Sequence, residues 1–339
     1  MNVIQNAGRN YCISILRVLG MLFIILCHIA SWLDIAFLEQ FFNYGVYIFL
    51  FISGFLYANK EINSPSKWFL TRVKKLLIPF YLFVIPVSIV YFKINGFDGL
   101  EAIKYLFCLQ GINFITPFIP FSEIKPLGNL WFVTIILICY LLTILVKKIE
   151  KKHKLNIAVI ILILVAAWFI PKIMMCFNIP YISLEYFVTY FLGYYISKFK
   201  VNNTLPIFII YGLFLFLASI GIRLVGKYCF DNSINNFYLL IVSATHLGLA
   251  VSTYFICNYL VNKFTIFIKI AKSNIWITFD KLSYPIYITH YAFLNSVTSV
   301  DNFGLSKPIS FILFILMTIT SALIIFYIDK AIQNKIIRT

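Results

Sequence analysis

Tyr11-Cys-Ile-Ser-Ile-Leu-Arg17-Val-Leu-Gly-Met-Leu-Phe-Ile-Ile-Leu-Cys-His28-Ile-Ala-Ser-Trp-Leu33 is an apolar run broken by two ionisable side chains, Arg17 and His28. About twenty apolar residues make a helix long enough to cross the roughly 30 Å hydrocarbon core of a bilayer. The run is too long for a signal-peptide core and no small-residue cleavage site follows it, so it is expected to be a first transmembrane helix. Comparable runs recur to residue 328, and the spacing predicts ten spans: 11–34, 42–59, 76–93, 128–147, 155–171, 179–197, 204–225, 237–260, 280–299 and 308–328. Across 339 residues, 62% are hydrophobic and only 12% charged, with a mean hydropathy of +0.93, which excludes a soluble globular protein. Continuous runs near twenty residues, in place of short alternating ones, exclude a barrel. The expected fold class is therefore all-α: a polytopic helical membrane protein with a single integral-membrane domain over 1–339.

The formal net charge of +16 would suggest nucleic acid in a soluble chain. Here the basic residues sort by loop. With the N-terminus inside, 21 of the 28 Lys and Arg fall on one side, chiefly in loops 60–75, 147–154 and 262–276. Short cytoplasmic loops carry such an excess, so both termini are expected in the cytoplasm, with membrane lipid as the immediate partner and no nucleic acid. Residues 94–127 then form a long outer loop whose aromatic, proline-interrupted stretch at 114–121 lies in the outer interface, while 262–276 alternates Lys with Phe, Ile and Trp as an interfacial helix does. The seven cysteines are scattered without ligand spacing and read as small core hydrophobes, so no metal site is expected.

Ionisable groups at membrane depth are costly and are functional candidates by default. His28, His246, His290 and Glu185 meet that condition, each with an interhelical hydrogen bond as the plainer explanation, whereas His153 belongs to a solvated lysine run. Arg17 and His28 are eleven residues apart, about three turns, so they share one face of the first helix at a separation of roughly 16 Å. Arg17 can snorkel to the inner interface while His28 stays inside, a layout suited to a long anionic donor whose reactive end enters the membrane. Arg72 and Lys75 lie three residues apart on one helical face and, with Lys74, are able to hold phosphate oxygens or to anchor a span. Ser53 and Gly54 permit close helix approach.

These residues resemble the membrane-bound acyltransferase-3 family, whose members move acyl groups, usually acetyl, onto cell-envelope sugars. Arg17 and His28 match its Arg-x10-His; Gly45 to Gly54 is similar to its Gly-x-x-x-Phe-Phe-x-x-Ser-Gly segment, with Leu50 for the second Phe and Tyr47 at an often acidic position. Arg72 and Lys75 look like its Arg-x-x-Arg, with a lysine that keeps the charge but not the bidentate fork. Leu130-Trp131-Phe132 and Ser283-Tyr-Pro-Ile-Tyr287-Ile-Thr-His290 resemble two further family segments, so the likeness covers nearly the whole chain.

The resemblance implies a plasma-membrane O-acyltransferase that uses cytoplasmic acyl-coenzyme A, in the simplest case acetyl-coenzyme A, and a glycan, polysaccharide or lipid-linked sugar as acceptor, alongside envelope-biosynthesis partners. It implies His28 as the catalytic group, either a general base or a carrier of the acyl group, and Arg17, Arg72, Lys74 and Lys75 as contacts for coenzyme A phosphates. Ser53, Gly54, Glu185, Trp131, Tyr287 and His290 are the expected supporting residues, Ser53 as oxyanion donor or packing residue. A transporter or flippase for such a glycan, with intramembrane His and Glu as a proton relay, is the alternative, and a synthase subunit without its own activity is a third.

Overall fold

A computed structural model describes residues 10–115, 124–153, 156–177, 179–199 and 236–338, with a few between 210 and 221. The expected span 204–225 and the aromatic stretch 114–121 lie largely outside the described residues. What is described is helical, and no strand occurs among those residues. The protein is an all-α polytopic membrane protein; six of the described helical segments are long and apolar enough to cross a membrane.

The helices follow local sequence signals. Helix α1, Tyr11–Trp32, starts where the Asn10 side chain accepts the Ile13 N–H at 3.2 Å. A short α2, Ala36–Phe42, turns the chain into α3, Gly45–Ala58. Helix α4, Pro65–Asn95, begins with proline in its first turn, where the missing N–H costs nothing. It runs on through Pro79 and Pro86 and stops at Gly96, whose φ of +87° suits glycine. The inner loop expected over 60–75 is thus helical from residue 65 onward, because no breaker separates the basic stretch from the apolar run behind it. Beyond Gly96, Asp98 caps α5, Gly99–Leu106, and a single turn, α6, Ile112–Ile115, follows. The expected outer loop therefore contains helix.

A 3₁₀ segment, Lys125–Leu130, leads into α7, Trp131–Lys152. Then come α8, Ile157–Cys176, capped by Asn156, and α9, Glu185–Lys198. Glu185 opens that helix instead of lying within it, since residues 179–184 are not helical. Helix α10 spans Asn236–Lys263, and α11, Thr265–Lys272, is the short amphipathic helix expected in 262–276. Helix α12, Asn274–Thr289, gives way at His290 to 3₁₀ turns, and α13 spans Lys307–Arg338. The ninth expected span, 280–299, therefore starts earlier and loses its regular helix ten residues sooner, at a last turn whose carbonyls pair with the Thr289 hydroxyl and the His290 ring.

The chain forms two compact units, one from residues 1–61 and 148–281, the other from 62–147 and 282–339. In the first unit α1, α3, α9 and α10 pack around Leu16, Met21, Ile48, Phe51, Tyr190 and Leu249. The packing is close because small residues let backbones touch. A Cβ on Gly54 would run into the Tyr190 carbonyl, and one on Gly193 into the Phe51 carbonyl. In the second unit α4, α7, the end of α12 and α13 enclose Phe80, Leu130, Ile135, Ile288 and Phe314. There the Thr134 hydroxyl donates to the Cys108 carbonyl at 2.6 Å and accepts from the Gly111 N–H at 3.0 Å, tying the residues after α5 to α7.

Candidate active site

Arg17 projects from the first half of α1 and meets a partner the sequence did not announce. Its Nη1 donates to Oδ1 of Asp280 on α12 at 2.5 Å, while Ser14, one turn before Arg17, donates to Oδ2 at 2.8 Å. The Asp280 side chain is 10% exposed and the Arg17 side chain 34%, so the acid is the more deeply buried partner. His28 is half-buried on the same helix, three turns beyond Arg17. Because α1 is continuous from Tyr11 to Trp32, the two groups are held at a fixed separation of roughly 16 Å.

A second polar cluster occupies the same unit. Glu185 accepts from the Tyr47 hydroxyl of α3 at 2.8 Å and from Lys172 of α8 at 2.7 Å, and the Ser243 hydroxyl of α10 also donates to it. Four helices thus converge on one carboxylate, whose ion pair with Lys172 is almost dry at 12% and 10% side-chain exposure. The Tyr47 ring stacks on His246, with centroids 4.7 Å apart, and His246 Nε2 pairs with Asn43 Oδ1 at 2.7 Å. Glu185 thus makes interhelical hydrogen bonds, while His246 pairs with the turn between α2 and α3. Tyr47, at the often acidic position of its motif, has a carboxylate delivered to its hydroxyl by another helix. Gly54 faces α9 at backbone contact, and Ser53 beside it is half-buried.

The second unit holds the remaining candidates. On α4, Arg72 is half-buried and lies over the Trp68 ring at 5.8 Å, one turn back, while Lys74 and Lys75 are exposed. Trp68 in turn meets Tyr140 edge-on at 5.8 Å. Arg72 is thus held by aromatic contact, and the two lysines extend to solvent from a rigid helix.

Two motif segments 158 residues apart interlock in this unit. Asn129 Nδ2 donates to the Tyr287 carbonyl at 2.8 Å, and the Tyr287 hydroxyl donates back to the Asn129 carbonyl. Phe132 meets Tyr287 edge-on at 5.7 Å, and Trp131 begins the helix next to it. His290 is fully buried with Nδ1 against the Tyr287 carbonyl at 2.9 Å. This contact lies within its own turn and so stabilises the 3₁₀ ending of α12.

Sequence reasoning missed Asp280, Lys172, Ser243, Asn43 and Asn129. Asp280 had one available signal, an acid among Lys269, Lys272 and Lys281. Lys172 had another, a lone cation right after Pro171 at the end of an apolar run.

The arrangement suits group transfer in a membrane: an oriented cation near one end of a continuous helix and an imidazole near the other. The sequence matches the family model described as an acyltransferase domain over residues 10–327. No curated protein and no solved structure matches the chain. With ordered motifs and a family match covering nearly its whole length, this chain belongs to the acyltransferase 3 family and is a membrane acyltransferase.

Proposed function

We propose that the protein transfers an acyl group, in the simplest case acetyl, from cytoplasmic acyl-coenzyme A to a hydroxyl of a cell-surface or lipid-linked glycan at the plasma membrane. The observation that supports this best is the single rigid helix carrying both Arg17, oriented and partly exposed, and His28 three turns further on. The chemistry requires a neutral hydroxyl oxygen to attack a thioester carbonyl while its proton leaves and the coenzyme A thiolate departs. Imidazole is the side chain suited to take that proton near neutral pH. His28 fills this role, or first accepts the acyl group on its ring nitrogen and then passes it to the hydroxyl.

Arg17 in the first unit, and Arg72, Lys74 and Lys75 in the second, are each proposed independently as contacts for the donor's phosphates. Glu185, with Tyr47, Lys172 and Ser243, supports the helices that frame His28's unit. Trp131, Tyr287 and His290 do the same for the second unit, and Ser53 and Gly54 allow α3 to lie against α9. The deciding experiment is mass spectrometry of envelope glycans from cells with and without the protein, paired with acetyl-coenzyme A turnover by the purified chain. Loss of an O-acyl mass increment together with donor turnover is expected. Purified protein that binds no acyl-coenzyme A and leaves glycan acylation unchanged would sink the proposal.

A further inference from the structure

We infer that Asp280 is a positioning residue for the acyl donor: it fixes the Arg17 guanidinium so that its remaining N–H groups face a phosphate. This rests on the proposal that Arg17 binds coenzyme A. Arg17 engages Asp280 through one nitrogen, Nη1, at 2.5 Å. A guanidinium carries five N–H donors, and among the described residues the others on Arg17 have no protein partner. A long arginine side chain left loose would lose rotamer entropy on binding; one already tethered loses less for each bond it then forms.

Asp280 is itself held. Ser14 donates to its second oxygen at 2.8 Å, so each carboxylate oxygen has a donor from α1 and the acid cannot readily swing away. Asp280 is the more buried of the two side chains, at 10% exposure against 34% for Arg17. A carboxylate this buried needs both oxygens hydrogen-bonded, and Ser14 supplies the second donor from the same helix that carries Arg17. The Ser14, Arg17 and Asp280 side chains form one small device, with α1 supplying two members and α12 the third.

A competing role has the opposite sign. If Asp280 merely occupied Arg17 until the donor displaced it, removing its charge would free the arginine and tighten donor binding. If Asp280 positions Arg17, removing the charge loosens the fork and weakens binding.

The test uses the full-length protein in detergent or nanodiscs, with coenzyme A as probe by calorimetry and phosphate-free pantetheine as a competing inhibitor of acetyl-coenzyme A turnover. Arg17→Ala should raise the Kd for coenzyme A by about tenfold or more, the loss of about one charge-assisted hydrogen bond. Asp280→Asn should raise it about three- to tenfold, with pantetheine inhibition unchanged, because pantetheine has no phosphate for Arg17 to hold. Ser14→Ala, which alters no charge, should move coenzyme A affinity the same way by about twofold; it decides the question if Asp280→Asn does not fold. Coenzyme A affinity unchanged or tightened in Asp280→Asn, beside a weakened Arg17→Ala, overturns the positioning role and leaves the donor site standing. Equal loss of coenzyme A and pantetheine overturns it too, since that marks general damage to the unit. Unchanged affinity in Arg17→Ala removes the donor site at Arg17 and the positioning role with it.

Discussion

His28 and Lys172 carry opposite kinds of consequence when replaced, and the difference separates chemistry from architecture. His28→Ala is expected to lower acyl transfer by at least about 10²-fold with coenzyme A affinity kept, because a base or acyl carrier acts in the transition state. His28→Gln keeps hydrogen-bonding capacity at nearly the same reach, so near-normal turnover in that variant would assign His28 to packing. Lys172→Met should instead leave Glu185 charged, buried and short of its counter-ion. Breaking such a pair costs about 3–5 kcal/mol, whereas Lys172→Met combined with Glu185→Gln, which removes both charges, should restore most of that loss. Thermal unfolding of the purified variants reads the contrast, and equal melting temperatures for single and double variants would refute it. Arg17 and His28 were legible in the sequence because both sit on one helix, where spacing alone sets geometry. Asp280 lies 263 residues from Arg17, and no local periodicity encodes a contact between helices.

Helices were easier to foresee than their ends. Apolar length announced the cores of α1, α7, α8 and α10, since a bilayer demands a satisfied backbone whatever the side chains. It did not announce that α4 begins at Pro65, because a basic stretch reads as loop by composition although its residues are good helix formers. Nor did it reveal that α12 stops before His290, where the Thr289 hydroxyl and the His290 ring pair with carbonyls of the last turn. The Gly54 contact with α9 is an element-scale prediction: Gly54→Ala should destabilise the first unit by about 1–3 kcal/mol, since the added methyl must displace the Tyr190 backbone. Ser53→Ala, one position earlier, should unfold within about 0.5 kcal/mol of the parent. Equal stability of Gly54→Ala and the parent chain would show that α3 and α9 separate more readily than their backbone contact indicates.

At the scale of the molecule, the 21-to-7 division of basic residues predicts which ends of the helices meet the cytoplasm. A membrane-impermeant thiol reagent added to intact cells should label Ile103→Cys, on the exposed face of α5, and should leave Lys151→Cys unlabelled until the membrane is opened. External labelling at 151 would invert the topology and with it the cytoplasmic donor site. Among the described cysteines Cys12, Cys108, Cys139 and Cys257 are buried and Cys27 is half-buried, so the parent chain, labelled in parallel, is the reference for both variants.

The chain passes from one compact unit to the other near residues 61, 147 and 281, so each unit is assembled from two stretches separated by a stretch of its neighbour. During synthesis the first unit is complete only after residue 281 has left the ribosome, and α4 must wait in the bilayer for α13, more than 200 residues later. Neither unit can be obtained by cutting the gene once. A premature stop after α12 would leave the second unit half-built, with Phe80 and Leu130 facing lipid or a quality-control protease.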